Sequence, residues 1–199
     1  MQTIDFYFDF ASPNCYLTNR VLRDIAAKHG ARVCLQPVLL GGIFKSTDNK
    51  APFVAFGGIK GKLDYEMLEM RRFIARHGFD QFQMNPHFPI NTLAAMRGLI
   101  AAREMGISDA YVEAMETAMW EQGKNIGDVN VIADTLSASG LPTEDILVKA
   151  QSDGVKKALI DETAAAVERG IFGLPTMFIG DEMFFGKERL IQINDMLAG

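Results

Sequence analysis

Residues 9–16 read DFASPNCY and follow directly on Thr3–Phe10, an alternating stretch rich in Ile, Phe and Tyr. Alternation of that composition predicts a strand. Ser12 suits a helix N-cap and Pro13 the first helical turn, so the strand is expected to give way to a helix at this point. Leu17, Val21, Leu22, Ile25 and Ala26 then recur at helical spacing as far as a stop at His29-Gly30. ARVCLQPVLL (31–40) reads as a second strand, and the three elements together make a βαβ unit. Ser12 and Cys15 stand at the spacing of a dithiol C-x-x-C, with a hydroxyl where the leading thiol would be.

Working outward, no strand is expected between about Gly61 and Gly170. DYEMLEMRRFIARHG (64–78) and NTLAAMRGLIAAREMG (91–106) are amphipathic, the second with Asn91 as its cap. SDAYVEAMETAMWEQG, GDVNVIADTLSASG, PTEDILVKAQSDG and VKKALIDETAAAVERG continue the helical run, and glycines close nearly every segment as C-caps do. The pattern then returns to β. PTMFIG and EMFFG are short strands around Gly180-Asp181, and a last helix is expected from Lys187 to Leu197. The outline is βαβ, an all-helical insertion, then ββα. The stretch GGIFKSTDNKAPFVAFGG (41–58), apolar and glycine-rich, is expected to form a lid-like connection.

The totals narrow the functions. A chain of 199 residues fits one compact domain or one domain with a large insertion, and buries about 70% of its unfolded surface without needing a metal or disulfide. Twenty Lys and Arg against 25 Asp and Glu give a net charge of −5 with no basic run, which disfavours a nucleic-acid partner. MQTIDFYFDF has no signal-peptide pattern, and no apolar run approaches the ~20 residues of a membrane span. Cys15 and Cys34 are therefore expected as reduced thiols in a cytoplasmic protein, Cys15 as a half-buried space-filler and Cys34 as core. His29 and His77 sit at helix ends and His87 in a loop, and no His, Cys and carboxylate cluster has metal-ligand spacing.

Three stretches carry a resemblance: FDFASPNCYL (8–17), LGGIFKSTDNKAP (40–52) and GIFGLPTMFIGDEMFFGKERL (170–190). With them the chain resembles the 2-hydroxychromene-2-carboxylate isomerase family, itself similar to kappa-class glutathione transferases and more distantly to DsbA-type oxidoreductases. The resemblance implies an α/β thioredoxin-like fold, with residues 1–60 and 171–199 forming a discontinuous thioredoxin-like domain and 61–170 an inserted helical domain. It also implies glutathione as cofactor and a small aromatic-derived substrate. The expected activity is isomerisation of a carboxylated α,β-unsaturated ketone in aromatic catabolism. Monomer and homodimer both stay open, relatives often being dimeric.

Site residues follow by position. Ser12 would be catalytic, its hydroxyl hydrogen-bonding a thiolate brought in by the ligand at a helix N-terminus that favours an anion. In thioredoxin-like folds the proline before the third strand is cis, and GLPT (173–176) matches it. Leu174, before Pro175, would then pair with the cysteinyl part of glutathione as a short added strand. The family holds the γ-glutamyl end through Ser-Asp-Arg or Asn-Asp-Arg, for which this chain has Lys187, Glu188 and Arg189. Lys62, followed by Tyr65, Glu69 and Arg72 at the family spacing, is the candidate for the glycine carboxylate, with Lys60 competing. Asn49 matches a family asparagine near the thiol. The alternatives are a kappa-like glutathione transferase, a DsbA-like disulfide oxidoreductase, against which the missing first cysteine argues, and a non-catalytic glutathione-binding protein.

Overall fold

The computed structural model, which describes residues 1–199, contains one mixed four-stranded sheet in the order β2-β1-β3-β4. β1 (Thr3–Phe8) runs parallel to β2 (Arg32–Pro37), β3 (Thr176–Ile179) antiparallel to β1, and β4 (Glu182–Phe185) antiparallel to β3. Alternation along β1 sends Ile4, Phe6 and Phe8 fully into the core. There the Phe6, Phe8 and Phe10 rings meet edge to face, with centroids 5.7 and 5.0 Å apart. α1 (Pro13–His29) joins β1 to β2 and ends at Gly30, whose φ of 63° takes the left-handed conformation that glycine adopts freely.

Both N-terminal strands are shorter than their apolar runs. β1 stops at Phe8, because the Asp9 side chain takes the Ala11 N–H and starts a turn. β2 stops at Pro37, which has no N–H to continue a ladder, and Leu40 already begins α2 (Leu40–Thr47). A single turn, α3 (Pro52–Ala55), follows. The connection expected as a lid thus holds two short helices, its Gly41-Gly42 pair having hidden the helical period. Cys34 is only half-buried on its strand rather than core, and Cys15 is completely buried rather than half-buried.

Residues 62–168 contain no strand. α4 (Lys62–His77) starts at Lys62, two residues before the expected boundary. α5 (Leu93–Glu104) is preceded by Asn91, whose Oδ1 accepts from the Leu93 N–H at 3.0 Å. α6 (Ser108–Glu116) widens into a π turn at Thr117–Glu121. α7 (Val129–Ala138), α8 (Thr143–Ala150) and α9 (Asp153–Glu168) complete the run, with Asp128 and Ser152 as side-chain caps of α7 and α9. α5 and α9 pack against β2, so one continuous core joins the helices to the sheet. Just past α9, Arg169 pairs with Asp5 at 2.7 Å and lies over the Phe178 ring. The C-terminal segment begins with a 3-10 turn at Lys187–Arg189 and continues as α10 (Leu190–Ala198). No helix is long and apolar enough to cross a membrane.

Candidate functional site

Ser12 is the N-cap of α1, with extended φ −100° and ψ 114°, and its Oγ accepts from the Cys15 N–H at 3.2 Å. Its hydroxyl also lies within reach of the Cys15 thiol, whose pKa it lowers, and it sits at a helix N-terminus, where the dipole favours negative charge. Asp9 holds the turn that carries it. This fully buried carboxylate accepts from the Ala11 N–H at 2.9 Å, the Thr92 hydroxyl at 2.6 Å and the Leu40 N–H at 2.8 Å. Three elements, the Ser12 turn, α2 and α5, are therefore tied to one side chain. Burial raises the Asp9 pKa, and the hydrogen bonds act against that rise. From the π turn, the Trp120 indole donates to the Phe10 carbonyl at 3.2 Å and fixes the strand end.

Behind Ser12, Cys15 is sealed from solvent. Burial, first, and the nearby Asp9 and Glu116 carboxylates push its thiol well above the ordinary range, so it carries almost no thiolate at neutral pH. Neither cysteine forms a disulfide. Further along, α1 is braced by the helical block: Tyr16 donates to Glu121 at 2.9 Å and Asn19 to Glu116 Oε2 at 3.0 Å. Glu116 is completely buried and its Oε1 has no partner. The Arg20 guanidinium is committed to Glu113 at 3.0 Å and Glu121 at 3.1 Å, and reaches Glu116 only at 4.0 Å. Burial accordingly pushes the Glu116 carboxyl up to about 8.

The Leu174–Pro175 peptide bond is cis, as expected at this position; Phe88–Pro89 is also cis, and no sequence signal marked it. The register Tyr7↔Thr176 puts residues 174–175 beside the C-terminal end of β1, where the Ser12 turn begins. The Pro175 carbonyl is taken by the Gly186 N–H, while the Leu174 N–H and C=O take part in no internal hydrogen bond. An extended peptide could therefore add to the chain at Leu174. Asn49 joins this corner: its Nδ2 donates to the Phe172 carbonyl at 2.7 Å and its Oδ1 accepts from the Lys50 N–H at 2.8 Å. Ser12, Asn49, Leu174 and Pro175 are thus gathered at one end of the sheet.

The charged residues are less united. Lys187 is buried and pairs with the exposed Glu188 at the rim of a cavity of about 490 Å3, which is also lined by Val21, Ile25, Glu69, Arg72 and Phe73. Arg189 turns the other way, into a second hollow beside β4 with Met183, Phe185 and Met196. The three-residue turn spaces successive side chains about a third of a circle apart, so the three do not share one face. Lys62 pairs with Glu66 one turn ahead at 2.6 Å and lies 5.0 Å from the Phe56 ring centroid. No hydrogen bond or ion pair joins Lys62 to the Ser12 turn, and Lys60 is exposed with no ion pair. Sequence reasoning missed Asp9, Glu116 and Trp120. Asp9 alone had a signal, an acid immediately before the turn.

A family model, the DSBA-like thioredoxin domain, matches residues 3–198. The chain belongs to that family. Within the DSBA-like fold it is 29% identical over 201 residues to a 2-hydroxychromene-2-carboxylate isomerase of Pseudomonas sp. (strain C18), covering 98% of this chain and 90% of that one. It is 25% identical over 215 residues to glutathione S-transferase kappa 1 of Homo sapiens, covering 99% and 91%. Among solved structures, a 2-hydroxychromene-2-carboxylate isomerase superposes with a TM-score of 0.85 at 27% identity, covering 98% of this chain and 94% of the other.

Proposed function

We propose that the protein is a glutathione-dependent isomerase of the 2-hydroxychromene-2-carboxylate type, acting in aromatic catabolism in a reducing cytoplasmic compartment. The observation that carries this reading is the Ser12 hydroxyl, whose oxygen caps the N-terminus of α1 and whose hydrogen can turn to a thiolate there, next to a buried and unreactive Cys15. A dithiol cycle needs a thiolate at the leading position, and none is present. The vacant thiol position suits a sulfur brought in by a ligand.

The surrounding groups fit glutathione. Leu174 offers a free N–H and C=O for a peptide in extended form. The Lys187–Glu188 pair presents both charges that a zwitterionic γ-glutamyl end needs. Lys62 would serve the glycine carboxylate after leaving Glu66, and Arg189, facing the other hollow, would stay outside the contact set.

When bound, glutathione supplies the nucleophilic sulfur that makes geometric isomerisation of a conjugated alkene accessible. The chain's part is to hold that sulfur ionised. A drop of two pKa units needs about 2.7 kcal/mol. One hydrogen bond from Ser12 to a charged sulfur gives about 1.5–3 kcal/mol and the helix N-terminus a further 0.3–1, roughly the amount required. Asp9 keeps the donor aimed by fixing the turn, and the phenylalanine-rich strand end excludes water behind it.

The similarity to kappa-class transferases supports a second reading with the same activated sulfur and a different outcome, release of a conjugate. One experiment tests both. Ultraviolet titration of glutathione in the complex is expected to show a thiol pKa well below that of the free tripeptide, and turnover of a hydroxychromene-carboxylate should leave glutathione unconsumed. Stoichiometric loss of glutathione would favour the transferase, and an unshifted thiol would overturn both readings.

A further inference from the structure

We propose that a separate, half-open cavity of about 240 Å3, bordered by α2, α5 and α9, is a second small-molecule site for a monocarboxylate with a compact apolar body. Its walls are Leu39, Leu93, Leu159 and Ala164, and its charged groups are Arg97 and Lys156. None of the residues assigned to glutathione lines it, so the inference stands independently of the proposed isomerase activity.

Charge is left without a counterpart in this cavity. The Arg97 side chain is half-buried, its Nε is shielded from solvent without a hydrogen-bond partner, and Arg97 takes part in no ion pair. Buried donors of this kind are ordinarily satisfied, so an unpaired one marks a place that something else completes. No acidic residue lines the cavity, and the carboxylates on the adjoining helix are engaged elsewhere. Glu162 binds Arg103 and Asp161 binds Lys157. Asp153 meets Lys156 only at 3.5 Å, through a fully exposed side chain, a pairing worth little. Thr163 adds no free group: its hydroxyl accepts from the Leu39 N–H at 3.0 Å and donates to the Leu159 carbonyl at 2.7 Å.

The occupant's chemistry follows from this lining. A guanidinium edge beside an ammonium suits a carboxylate, which can take two parallel N–H bonds from one arginine. A metal cation is repelled by the same two groups. The apolar remainder calls for a hydrocarbon body rather than a free oxyanion. The volume is below the ~300–1,000 Å3 of pockets for drug-sized ligands, which limits the body to one ring or a short chain.

Benzoate is the probe, titrated into the full chain with amide chemical shifts and heat of binding as readouts. Saturable shifts are expected along Leu39–Ser46, Leu93–Arg97 and Lys156–Ala164, unaffected by saturating glutathione. Arg97→Met should weaken binding about tenfold or more, and Lys156→Met should weaken it less, as its ammonium already meets Asp153 and a lysine offers no paired N–H groups. Benzyl alcohol, with the same ring and no charge, should bind at least tenfold more weakly than benzoate. Arg97→Met should also melt no lower than the wild type, since it removes an unpaired donor; Lys156→Met, near the surface, keeps the test open if it does not fold. Absence of saturable binding, shifts centred on Ser12 and Leu174, equal affinity in the Met variants, or inorganic phosphate binding as tightly as benzoate would each overturn the proposal.

Discussion

Replacing Ser12 can separate two tasks performed by one oxygen. As an acceptor, Oγ caps α1 through the Cys15 N–H at 3.2 Å; as a donor it is proposed to serve the glutathione sulfur. Ser12→Ala removes both. The cap is worth about 1 kcal/mol of stability. The hydrogen bond to a charged sulfur is worth about 2–3 kcal/mol, which converts to a thirty- to hundred-and-fifty-fold fall in kcat. Ser12→Gly is the sharper variant, because glycine caps a helix within a few tenths of a kcal/mol of serine and accepts the φ −100°, ψ 114° backbone without strain. It should melt within about 2 °C of the wild type while losing as much turnover as alanine. Ser12→Thr should recover part of both properties. Steady-state kinetics at saturating glutathione, run beside thermal melting, separate the two, and the KM for glutathione should move less than kcat because most contacts lie at Leu174 and beyond. Near-normal kcat in Ser12→Gly, or turnover that merely tracks melting temperature across the three variants, would reduce the hydroxyl to a cap and refute the reasoning.

Glu116 titrates near pH 8 when folded against an ordinary value of 4.5, so the native state keeps a proton that the unfolded chain has released. Its contribution to stability is therefore complete below about pH 4.5 and is lost as pH rises towards 8, at about 1.4 kcal/mol per unit, and Glu116→Gln should flatten that slope in urea titrations; a difference between the two proteins that does not change with pH would mean an ionised Glu116 paired with Arg20. Asp9→Ala leaves two backbone N–H groups and the Thr92 hydroxyl unpaired and should cost about 2–4 kcal/mol by chemical denaturation, offset in part by removal of a buried charge. Iodoacetamide should modify half-buried Cys34 well before buried Cys15, with no insulin reduction by the native protein; rapid labelling of Cys15 would show that its burial is transient. Glu188→Ala should raise the KM for glutathione several-fold with little change in kcat, and a fall in kcat alone would move Glu188 from binding to chemistry.

Local chemistry explains which features were legible in the sequence. The strand alternation of β1, the Ser12-Pro13 helix start and the Gly30 stop each depend on neighbours within a few residues, and each stands as expected. The cis bond at Pro175 and the neighbourhood of Asn49 were legible only through the resemblance. Asp9 depends on Leu40 and Thr92, which lie 31 and 83 residues away, and Glu116 meets Asn19 across 97 residues, separations that periodicity does not report. The Lys62–Glu66 pair was local enough to read, being a lysine and a glutamate one helical turn apart, yet the family spacing drew attention to Tyr65 and Glu69 instead. Arg189 borders the hollow beside β4 while Lys187 and Glu188 border the other cavity, a division that three adjacent letters do not report.

The Asp9 junction means that the DFASPNCY turn is not a portable motif. Its backbone is held by a carboxylate whose other two partners come from the first residue of α2 and the residue preceding α5. Grafting these eight residues onto another βαβ scaffold would transfer the serine without the bracing that orients it. The same wiring governs exchange with solvent. The Ala11 and Leu40 amides, bonded to one buried side chain, should open together with α5 rather than fray with the surface, so hydrogen exchange at both should follow the global unfolding of the chain.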